Sequence, residues 1–390
     1  MSNSKPRVLI LGGDGYLGWP TAMHFSNAGY PVAIVDNLSK RVWEAEFGSM
    51  PLWHLPSIQK RVRVWKAGAK KEIPVYIGDI AHNHRFVYKT LEDFKPDAIV
   101  HYAEQPSAPY SMSGREKAVN TQVNNIAGTL NILFAMRKYV PNAHLVKLGT
   151  MGEYGTPNID IEEGWLEIEH KGRRERVLYP KQAGSWYHQS KVHDSNNIEF
   201  ACRVWGIRAT DLNQGIVYGI DTDETILHPE LLTSFHYDHV FGTALNRFCT
   251  QAVAGIPLTV YGKGGQKRGF LNIRDTLQCI KLAVDNPVKA GEFRVFNQFT
   301  EVLSVAELAE TVKKAAQTLG LPVTVKKIEN PRVEKEEHYY NPSNESLLKL
   351  GLKPTLLSHE LIHSMMGKIK DAREHIEYDI IHPTIKWKHY

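Results

Sequence analysis

One stretch near the N-terminus, residues 7–36, constrains the fold of this chain more than any other feature. It begins with a short apolar run, passes through a glycine-rich turn and an amphipathic segment, and reaches a second apolar run that ends at Asp36. The glycines, spaced three residues apart, are Gly12, Gly15 and Gly18. Apolar runs of this length are typical of buried parallel strands. Strand, glycine turn, helix and strand in this order predict a dinucleotide-binding unit.

The turn and Asp36 together indicate which dinucleotide to expect. Glycine lets the backbone approach a pyrophosphate, and the N-terminus of the following helix favours that anion. The Asp36 carboxylate can accept a hydrogen bond from an adenosine ribose hydroxyl, whereas it would repel a 2′-phosphate. We therefore expect NAD rather than NADP, although Lys40 and Arg41 follow closely and leave NADP open. The alternative is that the glycines form an ordinary turn.

The composition indicates a soluble globular protein and argues against nucleic acid as a partner. Of 390 residues, 42% are hydrophobic and 23% are charged, which suits one large domain or two. The net charge of +5 is mild, and the basic cluster at 171–176 is interrupted by Glu175. Such a cluster is typical of a solvated surface, and the small positive excess still suits an anionic ligand.

The cysteines and the N-terminus bear on location. Cys202, Cys249 and Cys279 form neither a disulfide framework nor a metal-binding spacing, so we expect a reducing cytoplasm and no metal. No apolar run approaches the roughly 20 residues of a membrane helix, so we expect no membrane insertion. The first predicted strand begins so near the N-terminus that we also expect no signal peptide.

Alternating strands and helices continue beyond Asp36 and predict the fold class. Further strands are predicted at 74–77, 98–101, 145–148 and 208–212. We expect an α/β fold with a doubly wound parallel Rossmann sheet and ligands at the carboxyl ends of its strands. The expected lobes are an NAD-binding Rossmann domain over residues 1–213 and a smaller C-terminal α/β substrate-binding lobe over residues 214–390, with some segments interleaved.

Two insertions interrupt the alternation. Residues 39–72 are long for a connection between a strand and a helix. Residues 156–184 contain a predicted hairpin with its turn at Lys171 and Gly172. Either insertion could cover a binding site, and simple surface elaboration is an equal alternative.

Tyr187 and Lys191 form the candidate catalytic pair. They are four residues apart, so both side chains lie on one face of a predicted helix. A phenol with a pKa of ~10 is a poor base at neutral pH, but a neighbouring ammonium stabilises the phenolate and lets it accept a hydroxyl proton. Thr150, at the end of the predicted fifth strand, could hydrogen-bond the same hydroxyl. Alone, the pair would be read as a surface contact; after a dinucleotide-binding unit, the catalytic interpretation is favoured.

These features resemble the extended short-chain dehydrogenase/reductases that act on nucleotide sugars. The resemblance covers the glycine turn, Gly78-Asp79, residues 124–129, Thr150 and the Tyr187/Lys191 pair. In the C-terminal lobe, residues 261–270 resemble the family's nucleotide-diphosphate loop, in which Arg268 would meet a phosphate, and Arg332 matches a second phosphate-binding arginine. Arginine suits phosphate because its planar fork donates two hydrogen bonds. For each arginine the alternative is a surface salt bridge.

Longer strings resemble one branch of that family, the UDP-sulfoquinovose synthases. They are residues 104–112, 149–160, 211–215, 240–247 and 337–341, and the likeness extends from Arg7 to about Trp387. Members of this branch use NAD to convert UDP-glucose and sulfite into UDP-sulfoquinovose. The resemblance implies these two substrates and a homodimer in which the helix over 118–138 and the helix bearing Tyr187 pair between subunits. It leaves open whether a partner protein supplies the sulfite, and whether the product feeds sulfolipid or surface glycan.

The resemblance also implies the residues of the site. NAD would be bound by Gly12, Asp14, Gly15, Tyr16, Leu17, Gly18, Asp36, Asn37, Arg41, Asp79, Ile80, Tyr102, Asn124, Tyr187, Lys191, Gln214 and Val217. UDP-glucose would be bound by Gln105, Ser107, Thr150, Gln214, Thr243, Thr259, Tyr261, Arg268, Arg332 and His338. The catalytic residues would be Thr150, Tyr187, Lys191, Glu153 and His188.

Met151 and Gly152 bear on the reaction. Sugar-nucleotide 4,6-dehydratases carry an Asp-Glu pair directly after the threonine, whereas neither residue here can transfer a proton. The expected steps are oxidation at C4, loss of the C5 proton and the C6 hydroxyl, addition of sulfite at C6, and reduction at C4. Glu153 and His188 are candidates for the C5 base and the C6 acid, with a structural role as the alternative for each.

Two other functions remain open at this point. A UDP-sugar 4-epimerase or dehydratase would use the same NAD site and the same Tyr187. Outside enzymes, a non-catalytic NAD-sensing protein would keep the glycine turn but would not need Tyr187, Lys191 and Thr150, whose presence argues against it.

Overall fold

The computed structural model describes residues 5–335 and 337–387, and strands and helices alternate through most of them. The strands are β1 (Val8–Leu11), β2 (Val32–Asp36), β3 (Val75–Ile77), β4 (Ala98–His101), β5 (His144–Thr150), β6 (Trp165–His170), β7 (Arg173–Leu178), β8 (Arg208–Gln214), β9 (Ile216–Tyr218), β10 (Leu258–Tyr261), β11 (Lys267–Asn272), β12 (Phe293–Gln298), β13 (Glu301–Ser304) and β14 (Val325–Ile328). The ends of the two expected lobes, residues 1–4 and 388–390, lie outside the described residues.

The helices complete the inventory. The α-helices are α1 (Gly18–Asn27), α2 (Ser39–Phe47), α3 (Ile58–Ala69), α4 (His84–Phe94), α5 (Ala108–Ser111), α6 (Arg115–Gln122), α7 (Gly128–Tyr139), α8 (Trp186–Trp205), α9 (Ala244–Ala254), α10 (Ile273–Asp285), α11 (Val305–Thr318), α12 (Glu345–Lys349) and α13 (His359–Asp371). A π-helical turn spans Val123–Ala127, and 3₁₀ turns span Met151–Glu153, Thr225–Leu227, Pro229–Leu231 and Arg373–His375. Among the described residues, none of these helices is both long and apolar enough to cross a membrane.

A seven-stranded parallel sheet forms the centre of the structure, in the order β12-β8-β5-β4-β1-β2-β3. Its neighbouring strands all pair in parallel, and in β1 Val8 pairs with Val32 on one side and with Ala98 on the other. The strand order reverses beside β1, which is where doubly wound sheets bind ligands. The prediction of a doubly wound parallel Rossmann sheet is confirmed.

The strands β1, β2 and β4 are apolar because layers of helices cover both faces of this sheet. In β1, Val8 and Ile10 pack in one core with Trp19 of α1, whereas Leu9 and Leu11 pack in the core on the opposite face. All of these side chains are buried. Since neither face meets water, the strand sequences show no alternation of polar and apolar residues.

The second lobe contains two small sheets, β13-β11-β9 and β10-β14, packed against α9, α11 and α13. Its core includes Phe248, Val312 and Ile362. The chain then crosses back, because β12 joins the large sheet beside β8 and Cys279 of α10 packs into the core beneath α1. Within the described residues, the chain after residue 213 therefore supplies the second lobe and also β12, α10 and α12 of the first, since Leu347 of α12 packs into the same core. The boundary near residue 213 stays a prediction.

Two local features differ from a simple reading of the sequence. The insertion at 39–72 is largely helical, as α2 and α3, whereas the hairpin β6-β7 of the second insertion is a mostly exposed ribbon. The helix expected over 118–138 is interrupted by the π-helical turn between α6 and α7. Such turns accommodate an extra residue and are frequent at functional sites. Here the turn buries the side chains of Asn124 and Asn125.

Candidate active site

A cavity of about 460 Å³ opens at the carboxyl ends of β1, β2, β4, β5 and β8 and extends into the second lobe. Of the residues predicted from the sequence, those that line it are Gly12, Asp14, Gly15, Tyr16, Leu17, Gly18, Asp36, Asn37, Arg41, Ile80, Tyr102, Ser107, Asn124, Thr150, Tyr187, His188, Lys191, Gln214, Val217, Thr243, Tyr261, Arg268 and Arg332. The predicted residues that do not line it are Asp79, Gln105, Glu153, Thr259 and His338.

The glycine turn has the shape that a dinucleotide requires. Gly12 has a φ angle of +82°, and a Cβ atom there would lie 2.8 Å from the backbone nitrogen of Ala103. A Cβ atom on Gly18 would lie 2.0 Å from the carbonyl oxygen of Gly12, so no side chain fits between the turn and α1. At Gly15 a Cβ atom would approach only that same oxygen, at 3.5 Å. Gly15 therefore leaves bare backbone facing the cavity, where a pyrophosphate can approach.

Asp14 ties this turn to the insertion at 39–72. Its carboxylate accepts hydrogen bonds from Nε of Arg41, at 2.6 Å, and from Nη1 of Arg61, at 3.1 Å. Arg61 is fully buried over the Trp19 ring and donates from Nη2 to the carbonyl oxygen of Leu232 at 3.0 Å. Burial lowers the pKa of Arg61 to about 10, and Asp14 acts against that fall. Sequence reasoning did not find Arg61, because nothing local marks a buried arginine within a long insertion.

Asp36 ends β2 and lies beside the glycine turn. Its Oδ2 accepts from the backbone N–H of Asp14 at 2.9 Å, and its Oδ1 accepts from that of Leu38 at 2.7 Å. Burial raises the pKa of Asp36 to about 6. The two basic residues that left NADP open are both engaged in ion pairs, since Arg41 binds Asp14 and Lys40 lies 2.6 Å from Glu44. Neither is held free for a 2′-phosphate, so the residues present fit NAD.

Asp79 supports the cofactor pocket indirectly. Its Oδ1 accepts from the backbone N–H groups of Ala81 and His82, and its Oδ2 accepts from Nδ2 of Asn37 at 3.1 Å. Asp79 lies outside the cavity lining, and these bonds fix the loop that presents Asn37 and Ile80 to the cavity. Direct contact of Asp79 with the cofactor stays a prediction.

The catalytic pair is carried by α8, whose first turn is capped by Ser185. The ammonium of Lys191 lies 5.8 Å from the centre of the Tyr187 ring and donates to the carbonyl oxygen of Leu148 at 2.6 Å. Burial raises the pKa of Tyr187, and the charge of Lys191 opposes that rise. At the end of β5, Thr150 also lines the cavity, and its Oγ1 accepts from the backbone N–H of Gly152 at 3.2 Å. Thr150, Tyr187 and Lys191 are thus brought to one cavity wall, as predicted.

Glu153 lies outside the cavity lining, which favours its structural alternative over the role of a proton carrier. It is fully buried behind Thr150, where its Oε1 accepts from the backbone N–H of Thr150 at 3.1 Å and closes a capping box on the 3₁₀ turn. It also pairs with Lys147 and Lys181. Burial would raise the pKa of Glu153, but the two lysines outweigh burial and hold it below its usual value. These are the surroundings of a structural carboxylate that stays ionised.

His188 lies in the cavity wall beside Tyr187. Its Nδ1 is 2.9 Å from Oγ of Ser185, and its Nε2 is only 2.3 Å from where a Cβ atom on Gly152 would lie. The imidazole therefore occupies the space that a side chain at position 152 would need. Burial lowers the pKa of His188 to about 3, and the charge of Arg332 adds to this effect. A pKa in that range corresponds to a neutral imidazole at pH 7.

The second lobe supplies cations to the other end of the cavity. Arg268 is paired with Glu334, and both line the cavity together with Arg332, whose guanidinium lies 5.4 Å from the centre of the Trp387 ring. Arg247 lies behind Tyr261 and donates from Nη1 to its hydroxyl at 2.9 Å. Sequence reasoning found neither Glu334 nor Arg247, although each stands within or beside a string that it had singled out.

Three residues predicted to bind the substrate lie outside the cavity lining, and their contact with substrate stays a prediction. Gln105 is fully buried, and its Oε1 accepts from the backbone N–H of Ser107 at 3.2 Å. Thr259 is held by Gln251, whose Nε2 donates to its Oγ1 at 2.8 Å. His338 packs its ring against Tyr340, with 5.8 Å between the ring centres, outside the cavity lining. Ser107 does line the cavity, but its hydroxyl donates to the carbonyl oxygen of Val240.

Among the described residues, no group of three or more histidine, cysteine or acidic side chains could hold a metal ion. The charges that meet in the cavity are instead suited to organic anions. The bare backbone of the glycine turn is suited to a pyrophosphate at one end, the arginines are suited to phosphates at the other, and Tyr187 lies in the wall of the same cavity.

Comparison with known proteins identifies the family. Residues 8–297 match the NAD dependent epimerase/dehydratase family. The chain is 55% identical over 387 residues to the chloroplastic UDP-sulfoquinovose synthase of Spinacia oleracea, covering 99% of this chain and 80% of the relative. It is 44% identical over 385 residues to the UDP-sulfoquinovose synthase of Sulfolobus acidocaldarius, covering 98% of each.

Solved structures agree on the fold. The UDP-glucose 4-epimerase of Thermotoga maritima, solved with UDP-glucose, superposes with a TM-score of 0.69 at 18% identity, covering 94% of this chain and 99% of that one. The UDP-glucose 4-epimerase of Thermus thermophilus, solved with NAD, gives 0.64 at 22% identity, covering 93% and 99%. The expectation of NAD as cofactor is confirmed, and the chain belongs to the NAD-dependent epimerase/dehydratase family and, within it, to the UDP-sulfoquinovose synthases.

Proposed function

We propose that this chain forms UDP-sulfoquinovose from UDP-glucose and sulfite, with NAD regenerated in each cycle. The observation that carries the proposal is a single cavity that joins the glycine turn, the Thr150, Tyr187 and Lys191 side chains, and the arginines of the second lobe. Identity of 55% to a relative named for this reaction supports the choice of reaction within the family.

UDP-glucose would bind with its diphosphate at Arg268 and Arg332. Both guanidinium groups line the cavity, and arginine donates two parallel hydrogen bonds to phosphate. Glu334 is the present partner of Arg268, so the diphosphate would replace a carboxylate as that partner. The glucose ring would then lie against the rings of His188 and Tyr187, which line the cavity at neighbouring positions of α8 with 5.0 Å between their centres.

Tyr187 would take the proton of the C4 hydroxyl, and Thr150 would hydrogen-bond the same hydroxyl and orient it. The adjacent Lys191 ammonium stabilises the resulting phenolate against the cost of burying it. When bound, NAD would supply a hydride acceptor for C4 that can also return the hydride. The 4-ketone that results acidifies the C5 proton, which prepares the elimination.

His188 is our candidate for proton transfer at C5 and C6. Its imidazole fills the space that a side chain at position 152 would need. In the related dehydratases, positions 151 and 152 carry the acidic pair. A diphosphate at Arg332 and Arg268 would neutralise charges that now lower the pKa of His188, so substrate binding would make the ring more basic. Loss of the C5 proton and the C6 hydroxyl leaves an alkene conjugated to the ketone. The sulfur lone pair of sulfite adds to C6, C5 regains a proton, and C4 is reduced.

We further infer that two copies of the chain associate. Large apolar side chains are exposed along the adjacent helices α6, α7 and α8 and the π-helical turn: Val119, Val123, Leu130, Phe134, Trp186, Phe200 and Val204. An exposed apolar face of this kind supports a homodimer in which these helices of one copy pack against the same helices of the other. A cytoplasmic location is supported by Cys202, Cys249 and Cys279, all of which are free thiols. A sulfite-supplying partner stays a proposal.

The decisive experiment incubates the purified protein with UDP-glucose, with and without sulfite, and identifies the nucleotide sugars by mass spectrometry. We expect UDP-sulfoquinovose only when sulfite is present. Formation of UDP-galactose in both samples would identify a 4-epimerase, and unchanged UDP-glucose with bound NAD would identify a non-catalytic NAD-binding protein.

A further inference from the structure

The buried ammonium of Lys191 has one close partner that the proposed mechanism does not use. Oε2 of Glu104, in the loop after β4, lies 2.6 Å from Nζ of Lys191. The side chains of both residues are almost wholly buried, at 1% and 5% exposure, and both line the cavity. Glu104 stands within the string 104–112, but this contact could not be anticipated because it joins two distant parts of the chain.

The other ionisable groups around Lys191 come from three elements. On α8 itself are Tyr187 and Asp194; from β4 comes His101, 3.7 Å from Oε1 of Glu104; and from β5 comes Lys147. Burial lowers the pKa of His101, and Lys191 and Lys147 add to that effect, so the imidazole is neutral. Burial together with the charge of Glu104 raises the pKa of Asp194 well above its ordinary value, and no ion pair joins this carboxyl group to Lys191.

Lys147 does not help to hold the charge of Lys191. It is a cation, and it is occupied by Glu153 and Asp211, each 3.5 Å away. Of the groups around Lys191 in the described part of the chain, Glu104 is thus the carboxylate in direct contact with it. The carbonyl oxygen of Leu148 completes the contacts but carries no full charge.

We propose that Glu104 is a positioning residue that keeps the amine of Lys191 protonated and aligned beside Tyr187, and so sets the pH range in which Tyr187 can act as a base. The inference rests on the proposed role of Tyr187 in C4 oxidation. The physical reason is that burial disfavours an ammonium, and only an opposite charge at contact distance restores it. At Lys191, burial lowers the pKa of the ammonium and the charge of Glu104 raises it. The charge of Glu104 prevails, so the pKa of Lys191 lies above its ordinary value.

Glu104→Gln tests the proposal, since glutamine keeps the volume and removes the charge. Without the carboxylate, burial and Lys147 lower the pKa of Lys191, and a neutral amine no longer stabilises the Tyr187 phenolate. We expect kcat to develop a falling limb at alkaline pH, with about a tenfold loss per pH unit above the new pKa of Lys191. The wild type should keep its activity over that range, and KM for UDP-glucose should change less than about twofold, because Arg268 and Arg332 are untouched.

Two further variants make the result decisive. Glu104→Asp retains the carboxylate at a greater distance from Lys191, so the alkaline fall of kcat should lie closer to its wild-type position than in Glu104→Gln. If Glu104→Gln does not fold, the pH profile of Glu104→Asp provides the test. Glu224→Gln removes another buried carboxylate, paired with His24 outside the cavity lining, and should leave the pH profile unchanged.

Two outcomes separate this inference from the proposed function. The role of Glu104 would be overturned, with the synthase reaction intact, if Glu104→Gln kept the wild-type pH profile. It would also be overturned if Glu104→Asp showed the same altered profile as Glu104→Gln. Should the wild type make no UDP-sulfoquinovose, the proposed function fails, and the pH profile of C4 oxidation, followed as NADH absorbance with UDP-glucose alone, still decides the role of Glu104.

Discussion

Replacing Glu153 by glutamine should destabilise the protein far more than it slows the chemistry. Glu153 is fully buried, and its two oxygens accept from Ser195, at 3.1 Å, from the backbone of Thr150 and from two lysines. Glutamine can still accept from Thr150, but its amide nitrogen would face ammonium groups that also donate. Breaking a buried ion pair by removing one partner costs roughly 3–5 kcal/mol. Because Lys147 keeps Asp211, we expect a loss of about 3 kcal/mol, at the low end of that range.

The pH dependence of this loss has a defined direction. Lys147 and Lys181 outweigh burial and hold the pKa of Glu153 in the folded protein below its ordinary value of 4.5. A carboxyl group whose pKa is lower in the folded state contributes its full stability above the unfolded pKa. That contribution disappears as the pH falls through the folded pKa. The difference in unfolding free energy between wild type and Glu153→Gln should therefore be constant above about pH 5 and shrink below about pH 4.

Urea unfolding followed by tryptophan fluorescence measures this difference, with product formation assayed on the same samples at low temperature. The matched control is Glu72→Gln, which removes the acidic partner of the exposed Lys66 and should leave the urea midpoint unchanged. We expect the folded Glu153→Gln variant to make UDP-sulfoquinovose. A variant with wild-type stability that oxidises C4 and yet makes no product would refute the structural role and return Glu153 to the chemistry.

Shorter predictions concern the substrate, the cofactor and the assembly. Arg268→Ala and Arg332→Ala should each weaken UDP binding about tenfold or more, as measured by calorimetry, because a charge-assisted hydrogen bond is worth roughly 1.5–3 kcal/mol; an unchanged dissociation constant in both would mean that the diphosphate lies elsewhere. Tyr187→Phe should abolish both NADH formation and product, whereas His188→Gln should keep the NADH signal and lose product with sulfite; product at the normal rate would exclude His188. NAD should co-purify with the protein, and Asp36→Asn should reduce the ratio of the protein's affinity for NAD to its affinity for NADP. Release of NADP from the wild type would contradict the role of Asp36. Light scattering should give a dimer at micromolar concentration, and a monomer would count against the apolar helical face as an interface.

The parallel sheet could be predicted because its determinants are local. Most of its strands are short apolar runs, each followed by a segment with helical periodicity. The glycine turn after β1 marks the carboxyl ends of the strands as the place where ligands bind. The crossing of β12 into this sheet could not be foreseen in detail, because its partner β8 lies far away in the chain. The π-helical turn at Val123–Ala127 was hidden for another reason, since helical periodicity continues on both sides of it.

Within the site, the sequence marks the residues of local motifs, whereas it does not mark contacts between distant parts of the chain. Thr150 followed three residues later by Glu153 has the spacing of a capping box, and this signal predicts a structural carboxylate. The same carboxylate also has the chemistry of a proton carrier, so the spacing alone does not decide between the two roles. Glu104 and Arg61 are different cases. Each is a charged residue that meets its partner only after folding, at Lys191 and Asp14 respectively.

The anchoring of the glycine turn has a consequence for protein engineering. Dinucleotide-binding halves are often regarded as modules that can be cut out and grafted, but this one depends on the backbone between residues 219 and 233. Tyr16 donates to the carbonyl oxygen of Gly219, Trp19 to that of Leu231 and Arg61 to that of Leu232. A fragment that stops at residue 213 would lose all three hydrogen bonds and also the edge strand β12. Such a fragment should hold NAD far less tightly than the whole chain, so chimeras with this cofactor half need a junction beyond β12.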